Sequence, residues 1–354
     1  MLNKHLVKIC SMILIVCIIF TLTGCGSAIS SSPSSSPAVN NSSPAETSKT
    51  EKKATYTLRL GHEGAGDDHP YNYGALKFAE LVEAKTNGDV KIEVYGNASL
   101  GTQKEMVEMV FQGTLDFVEC VSTVLESYDS RWGVAIVPYL FRDIEHCWTV
   151  YDSEVGKEMM DWTKEKGLDI LAIWQNGVVS IETKKPVKLP SDVKGIKMRI
   201  QSGQVAQPLA DILGVVPTNM AMSELYSGLQ LNAIDGILQQ IPNIYGYKFY
   251  EVAPYFCNNE FMIMVEPLVA NSANLSKLPK EYQDAIKEAA MEAAVAQRDY
   301  TDKLVAEKTA ECEEKGLKIY TPTEEEMNIW RKTMAPLKEM FPEWKDIIAK
   351  IESM

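Results

Sequence analysis

From Thr55 to its end the chain alternates strand-like and helix-like segments, and that alternation most narrows the folds open to it. Tyr56-Thr-Leu-Arg-Leu60 alternates polar and apolar side chains, as a half-buried strand does. A Gly- and Asp-rich loop over 61–70 leads into a helix expected over 73–86, with Leu76, Phe78, Ala79, Leu81 and Val82 on its apolar face. Asn87-Gly88 stops that helix, and 90–95 alternates as a second strand. The pattern continues with a helix over 103–112 ended by Gly113, a buried strand over 116–121, a helix over 145–166 capped by Gly167, and a strand over 168–175. Such a sequence predicts an α/β protein with mostly parallel strands.

Residues 194–200 and 233–238 read as strands of a second sheet, separated by helices over 203–213 and 222–231. The last third changes character. Residues 279–315 form one long helical pattern, rich in alanine and charge, with no glycine between its ends and no proline after Pro279. At about 1.5 Å per residue a single helix there would exceed about 50 Å, enough to brace two domains. Two helices broken near 299–301 would also fit the pattern. The 300 residues from Thr55 to Met354 are enough for two domains with good cores, and no internal repeat or second linker interrupts them.

The first residues address the chain to a compartment. Lys4 and Lys8 precede an apolar run over 9–22, shorter than the roughly 20 residues of a membrane-spanning helix. Leu22-Thr23-Gly24-Cys25 resembles a bacterial lipobox, which implies cleavage after residue 24 and a diacylglycerol on the Cys25 sulfur. Residues 1–24 are then a lipoprotein signal peptide, and 25–54 a Ser/Pro-rich tether too poor in apolar side chains to pack. Localisation would be extracytoplasmic, with the chain lipid-anchored, for instance through palmitate, to the bacterial cell membrane.

Four cysteines remain in the body, Cys120, Cys147, Cys257 and Cys312, far apart and without a C-x-x-C pair, so a zinc site is not expected. Buried free thiols are the default, although disulfides are permitted outside the cell. Loss of residues 1–24 removes two lysines and no acid, moving the formal charge from −13 to −15. So acidic a body argues against nucleic acid as a partner, and an anionic ligand would have to be met by individual arginines. His62, Glu63, Asp67, Asp68 and His69 lie in a loop without metal-ligand spacing, so neither metal nor cofactor is expected. No G-x-S-x-G or comparable nucleophile setting is present, which weighs against an extracellular hydrolase.

Several short segments together carry a family resemblance. Leu58-Arg-Leu-Gly-His62 with His69-Pro70, Gly96-Asn-Ala-Ser-Leu-Gly101, Gln112-Gly-Thr-Leu-Asp116 and Val137-Pro-Tyr-Leu-Phe141 are similar to segments of TRAP-transporter solute-binding proteins of the DctP type. Val193-Lys-Gly-Ile-Lys-Met-Arg199, Pro217-Thr-Asn-Met220, Glu224-Leu-Tyr-Ser-Gly-Leu-Gln230, Asp235-Gly236 and Lys248-Phe-Tyr-Glu251 follow in the family's order, so the resemblance spans about 56–320. It implies a two-lobed, periplasmic-binding-protein-like (type II-like) α/β fold with crossing hinge strands and a long domain-spanning helix. Lobe I would hold 56–178 and 264–304, and lobe II 179–263 and 305–354. The implied function is capture of a small organic carboxylate between the lobes and delivery to TRAP-type membrane permease subunits, with no chemical conversion. A protein that hands its ligand to a membrane receptor would look the same in sequence.

The resemblance also nominates site residues. Arg199 ends the Ile196-Lys-Met-Arg strand where the family's arginine grips the ligand carboxylate, and a planar guanidinium fork suits that task. The chain departs from the common pattern around it. Val179 stands where many relatives carry a second arginine, Gln239 where they carry asparagine, and Met222 where phenylalanine is frequent. Val121 and Val124 follow the 116–121 strand at the cleft edge, or belong to the core. Glu63, after the first strand, is a further contact, and Tyr226 a hinge or pocket contact. One cation, one amide and an apolar wall point to a monocarboxylate with a sizeable apolar part, because polar groups left unpaired against valines cost a few kcal/mol. Trp132, Trp148, Trp162 and Trp174 read as core, with Trp174 close enough to a strand end to reach the cleft.

Overall fold

The computed structural model describes residues 53–354; the signal sequence, Cys25 and nearly all of the tether lie outside the described residues. Nine strands form one sheet: β1 Tyr56–Gly61, β2 Val90–Tyr95, β3 Phe117–Glu119, β4 Leu168–Thr183, β5 Lys197–Arg199, β6 Val216–Thr218, β7 Gly236–Gln239, β8 Tyr255–Asn271 and β9 Lys318–Tyr320. Their order is β2-β1-β3-β8-β4-β7-β5-β6, with β9 paired to β8. Where the sequence suggested a second sheet, the two groups of strands are instead joined through β4 and β8. These two strands, 16 and 17 residues long, run antiparallel to each other across the whole molecule. One end of β8 pairs with β3, and the other end of β4 pairs with β7.

The expected end of a strand near Asn176-Gly177 is therefore an interruption within a strand. The β4–β8 register shifts between Gln175 and Val178 and again between Val179 and Ile181. Gly177 sits at φ +86°, and a Cβ there would come within 3.0 Å of Val305, so glycine serves both the bend and the close approach. Both long strands are buried on nearly every residue, which is why their sequences run apolar instead of alternating.

Most helices lie where the periodicity puts them. Helix Pro70–Lys85 begins earlier than expected because Pro70 is preset for a first helical turn and the His69 ring accepts the Tyr71 N–H as its cap. Gln103–Phe111 carries a complete capping box between Thr102 and Glu105. The single helix expected over 145–166 is instead Ile144–Tyr151, Glu154–Met160 and a 3-10 segment, Asp161–Lys166. Ser153, whose hydroxyl accepts the Val155 N–H, starts a new helix in mid-pattern. Gly167 closes the run in a left-handed conformation.

Lys280–Glu314 is one unbroken helix of 35 residues. Ile286, Ala289, Ala290, Ala293 and Ala294 form its buried stripe, and the small side chains let helix Pro70–Lys85 pack close. Farther along, the Gln297 side chain accepts the Gln175 N–H at 3.0 Å and donates to the Gln175 carbonyl at 2.6 Å, tying the helix to β4 beside its irregularity. Arg298 stacks on Trp148 and pairs with Asp152 at 3.0 Å. Trp132, Trp162 and Trp174 are buried, and Trp174 does not reach the cleft. Cys120, Cys147, Cys257 and Cys312 are free and buried. No helix among the described residues is long and apolar enough to cross a membrane.

Candidate functional site

A cavity of about 800 Å³ opens beside the middle of the sheet, between the ends of β1 and β3 on one side and those of β5 and β7 on the other. Strand ends place its polar groups for a simple reason: backbone pairing fixes the last residue of a strand while freeing its side chain to face the cleft.

On the β5–β7 side, Arg199 lies opposite Ile237 in the ladder, with Gln239 two residues on and therefore on the same face. Arg199 is only 9% exposed, and its Nε–H donates to the Met220 carbonyl at 3.2 Å. Arg131, Arg298 and Arg331 each hold a carboxylate within 3.0 Å, whereas Arg199 forms no ion pair among the described residues. Burial lowers its pKa to about 10, partly offset by the field of Glu63, so it remains a cation at neutral pH. A buried guanidinium with its fork uncommitted is complementary to a carboxylate in both charge and shape. Gln239 is almost fully buried, and its amide nitrogen faces the Met222 sulfur at 3.4 Å.

The opposite wall is acidic. Glu63 accepts the Gln103 N–H at 3.0 Å, at the N-terminus of helix Gln103–Phe111; even so, burial raises its pKa. Glu126 accepts the Gln204 N–H at 2.8 Å, and burial raises its pKa as well. Glu266 lies on the floor, fully buried beside Tyr71 and Glu119, and the oxygens of both Glu119 and Glu266 lack a hydrogen bond of good geometry. Burial pushes both carboxyls up, Glu266 to about 8; repulsion from Glu266 and Glu63 adds to the rise of Glu119, and repulsion from Glu63 to that of Glu266, so the pair keeps at least one proton at neutral pH.

Of the residues nominated from sequence, Arg199, Gln239, Met222, Val121, Val124 and Glu63 all line the cavity. Val179 and Tyr226 do not. Val179 is fully buried opposite Met262 in the β4–β8 ladder, because the strand continues where the sequence suggested it stopped. Tyr226 turns away from the cleft and donates its hydroxyl to Glu251 at 2.7 Å. Tyr71, Gln103, Glu126, Asn243, Tyr247 and Glu266 also line the cavity and were missed. For Asn243 the one signal was its nearness in sequence to Gln239, in the helix Ile241–Gly246 that follows β7. Glu266, in an apolar run, gave none beyond being a lone acid in a buried strand. The wall is accordingly more polar than valines alone suggested.

Hydrogen bonds bridge both rims of the cavity. Gln204 donates its N–H to Glu126 and its amide to the Ser130 carbonyl at 2.9 Å. On the other rim Tyr247 donates to the Glu63 carbonyl at 3.2 Å, and His69 meets Asn243 at 3.0 Å.

An α/β body crossed by two long strands and a bracing helix, with a cavity between strand ends at its centre, has the architecture of a two-lobed solute-binding protein. Residues 60–343 match the model of the bacterial extracellular solute-binding protein, family 7 (DctP). The chain belongs to that family, the extracytoplasmic solute-binding proteins of TRAP transporters. It is 30% identical to the 2,3-diketo-L-gulonate-binding periplasmic protein YiaO of Escherichia coli over 73% of this chain and 77% of that one. It is also 30% identical to the C4-dicarboxylate-binding periplasmic protein DctP of Rhodobacter capsulatus, over 81% and 86%. A TRAP periplasmic solute-binding protein from Roseobacter denitrificans with bound β-D-glucuronate superposes with a TM-score of 0.80 at 27% identity, covering 84% of this chain and 99% of that one. One from Shewanella oneidensis with bound succinate gives 0.80 at 26%, covering 85% and 98%.

Proposed function

We propose that the cavity captures a small organic carboxylate, with Arg199 as its anchor, and that the closed protein delivers it to TRAP-type membrane permease subunits. The uncommitted guanidinium of Arg199, buried in a cavity of ligand size, carries this reading. Relatives of the fold hold glucuronate and succinate, both carboxylates. Gln239 and Glu63 flank the anchor as an amide and a carboxylate, while Val121, Val124 and Met222 supply apolar surface. Residues 56–178 with 264–304, and 179–263 with 305–354, are the two bodies that move, and the hydrogen bonds at the rims are what closure makes. The family binds and releases, so the chain is not an enzyme. Lipid attachment at Cys25 holds it at the outer face of the cell membrane, close to its permease.

The test is a thermal-shift screen of the purified chain against a carboxylate library, since a ligand of the folded state raises the melting temperature. A hit that disappears in Arg199→Ala supports the assignment. If the hit survives unchanged in that variant, the anchor lies elsewhere.

A further inference from the structure

The orientation of the Gln239 amide can be read from hydrogen bonds that begin and end on backbone N–H groups. The Tyr71 N–H, which can only donate, points at His69 Nδ1 at 3.2 Å. That nitrogen is therefore the acceptor, and the ring proton sits on Nε2. Nε2–H then donates to Asn243 Oδ1 at 3.0 Å, which leaves the Asn243 Nδ2 group free to donate. It does so to Gln239 Oε1 at 2.8 Å, with a longer contact to Gln240 Oε1 at 3.3 Å. The Gln240 N–H, again an obligate donor, reaches the same Gln239 Oε1 at 3.1 Å. Both lone pairs of that oxygen are thus used inside the protein. Among the described residues the Nε2 group has only the soft Met222 sulfur as a partner, on the cavity side.

Resting on the carboxylate reading of the site, we propose that His69, through Asn243, sets Gln239 as a hydrogen-bond donor only, so that the solute carries an acceptor oxygen close to the carboxylate held by Arg199. An ether, oxo or ring oxygen fits there. An ammonium group does not, because it would face two sets of donors, the Gln239 amide and the Arg199 guanidinium. His69 is a positioning residue in this scheme. It never touches the solute, and it sits across the cavity rim from the amide it orients. The packing holds its ring in place: a Cβ on Gly64 would lie 2.3 Å from Nδ1. Selectivity and closure are thereby linked, since the chain from His69 to Gln239 exists only when the two rims meet.

The experiment is calorimetric titration of the whole chain, purified in detergent, with pentanoate, 2-oxopentanoate, 2-aminopentanoate and D-glucuronate, whose ring oxygen stands next to the carbon bearing the carboxylate. The wild type is expected to bind 2-oxopentanoate about tenfold tighter than pentanoate, the worth of one good hydrogen bond, and 2-aminopentanoate most weakly. Asn243→Asp keeps the acceptor for His69 but turns an acceptor toward Gln239 Oε1; it should shrink the oxo-over-parent ratio to below about threefold. Gln239→Glu, an isosteric change, should reverse the order of the oxo and amino acids. An unchanged ratio in both variants, whatever their melting temperatures, overturns the proposal, as does a wild type that prefers the amino acid. Binding of pentanoate and 2-oxopentanoate with equal affinity overturns it while leaving the carboxylate site intact. If no carboxylate binds, the site reading falls and takes this inference with it.

Discussion

The two walls of the cavity manage charge in opposite ways. On the β5–β7 side a single cation is buried with its fork free, and the amide beside it is held by a chain of neutral hydrogen bonds. Across the cavity Glu266 and, beside it, Glu119 are fully buried with no ion pair among the described residues, Glu63 is partly buried, and all three hold protons more tightly. An arginine cannot discard its charge near neutrality, so burying it stores a demand for an anion. A glutamate can, so burying it stores a proton. One wall therefore carries a charge fixed near neutrality, and the other a charge that depends on pH.

Removing the receptor charge should have the largest effect. Arg199→Ala is expected to weaken carboxylate binding by at least about a hundredfold in Kd by calorimetry. Equal affinity in that variant would erase the distinction between the walls.

The acidic wall should show itself in stability. Glu266 has a folded pKa of about 8 against an ordinary value of 4.5, so its contribution is complete below pH 4.5 and is lost as pH rises through 8. Stability should fall as pH rises above 6.5, and Glu266→Gln should make that slope shallower in denaturant titrations. His62 and His69 act in the opposite direction. Burial lowers both to about 4, so their contribution is complete above pH 6.5 and is lost as pH falls through 4. The two trends oppose each other between pH 4.5 and 6.5, and Glu266→Gln removes one of the carboxyl contributions that offset the histidines there.

The valines sharpen the contrast between cavity and core. Val179→Thr buries a hydroxyl in a packed ladder and should cost about 1–3 kcal/mol of stability without altering affinity. Val124→Thr, half-buried on the cavity wall, should alter the Kd and leave stability within about 0.5 kcal/mol. Smallest of all, Tyr226→Phe loses one hydrogen bond to Glu251 at the surface; it should change stability by under about 1 kcal/mol and the affinity not at all.

What was legible in the sequence follows from the range of the forces involved. Strand β2, the helix at 103–111 and the long helix were readable because each is set by local periodicity, reinforced in the second by its capping box. Arg199 was readable because a family motif carries it. The continuation of β4 past Gly177 was not, since a glycine that ends most strands is here a bend held by β8 and by the Gln297 clamp. Val179 was misplaced for the same reason. Glu266 on the floor and Glu119 buried beside it escaped notice because they lie far apart in sequence and meet only through the β3–β8 pairing.

That pairing scheme has a mechanical consequence. Because β4 and β8 run unbroken from one half of the sheet to the other, the two halves are not beads on a string but ends of one leaf spring. On the proposed closure, opening is expected to be stored as twist and bend at the irregular stretch around Gln175–Ile181, with the 35-residue helix clamped alongside as a stiffener. A spring of this kind has a restoring force and a limited travel. The empty protein should recoil to one preferred gape, and the solute has only to supply the small energy that holds the spring shut.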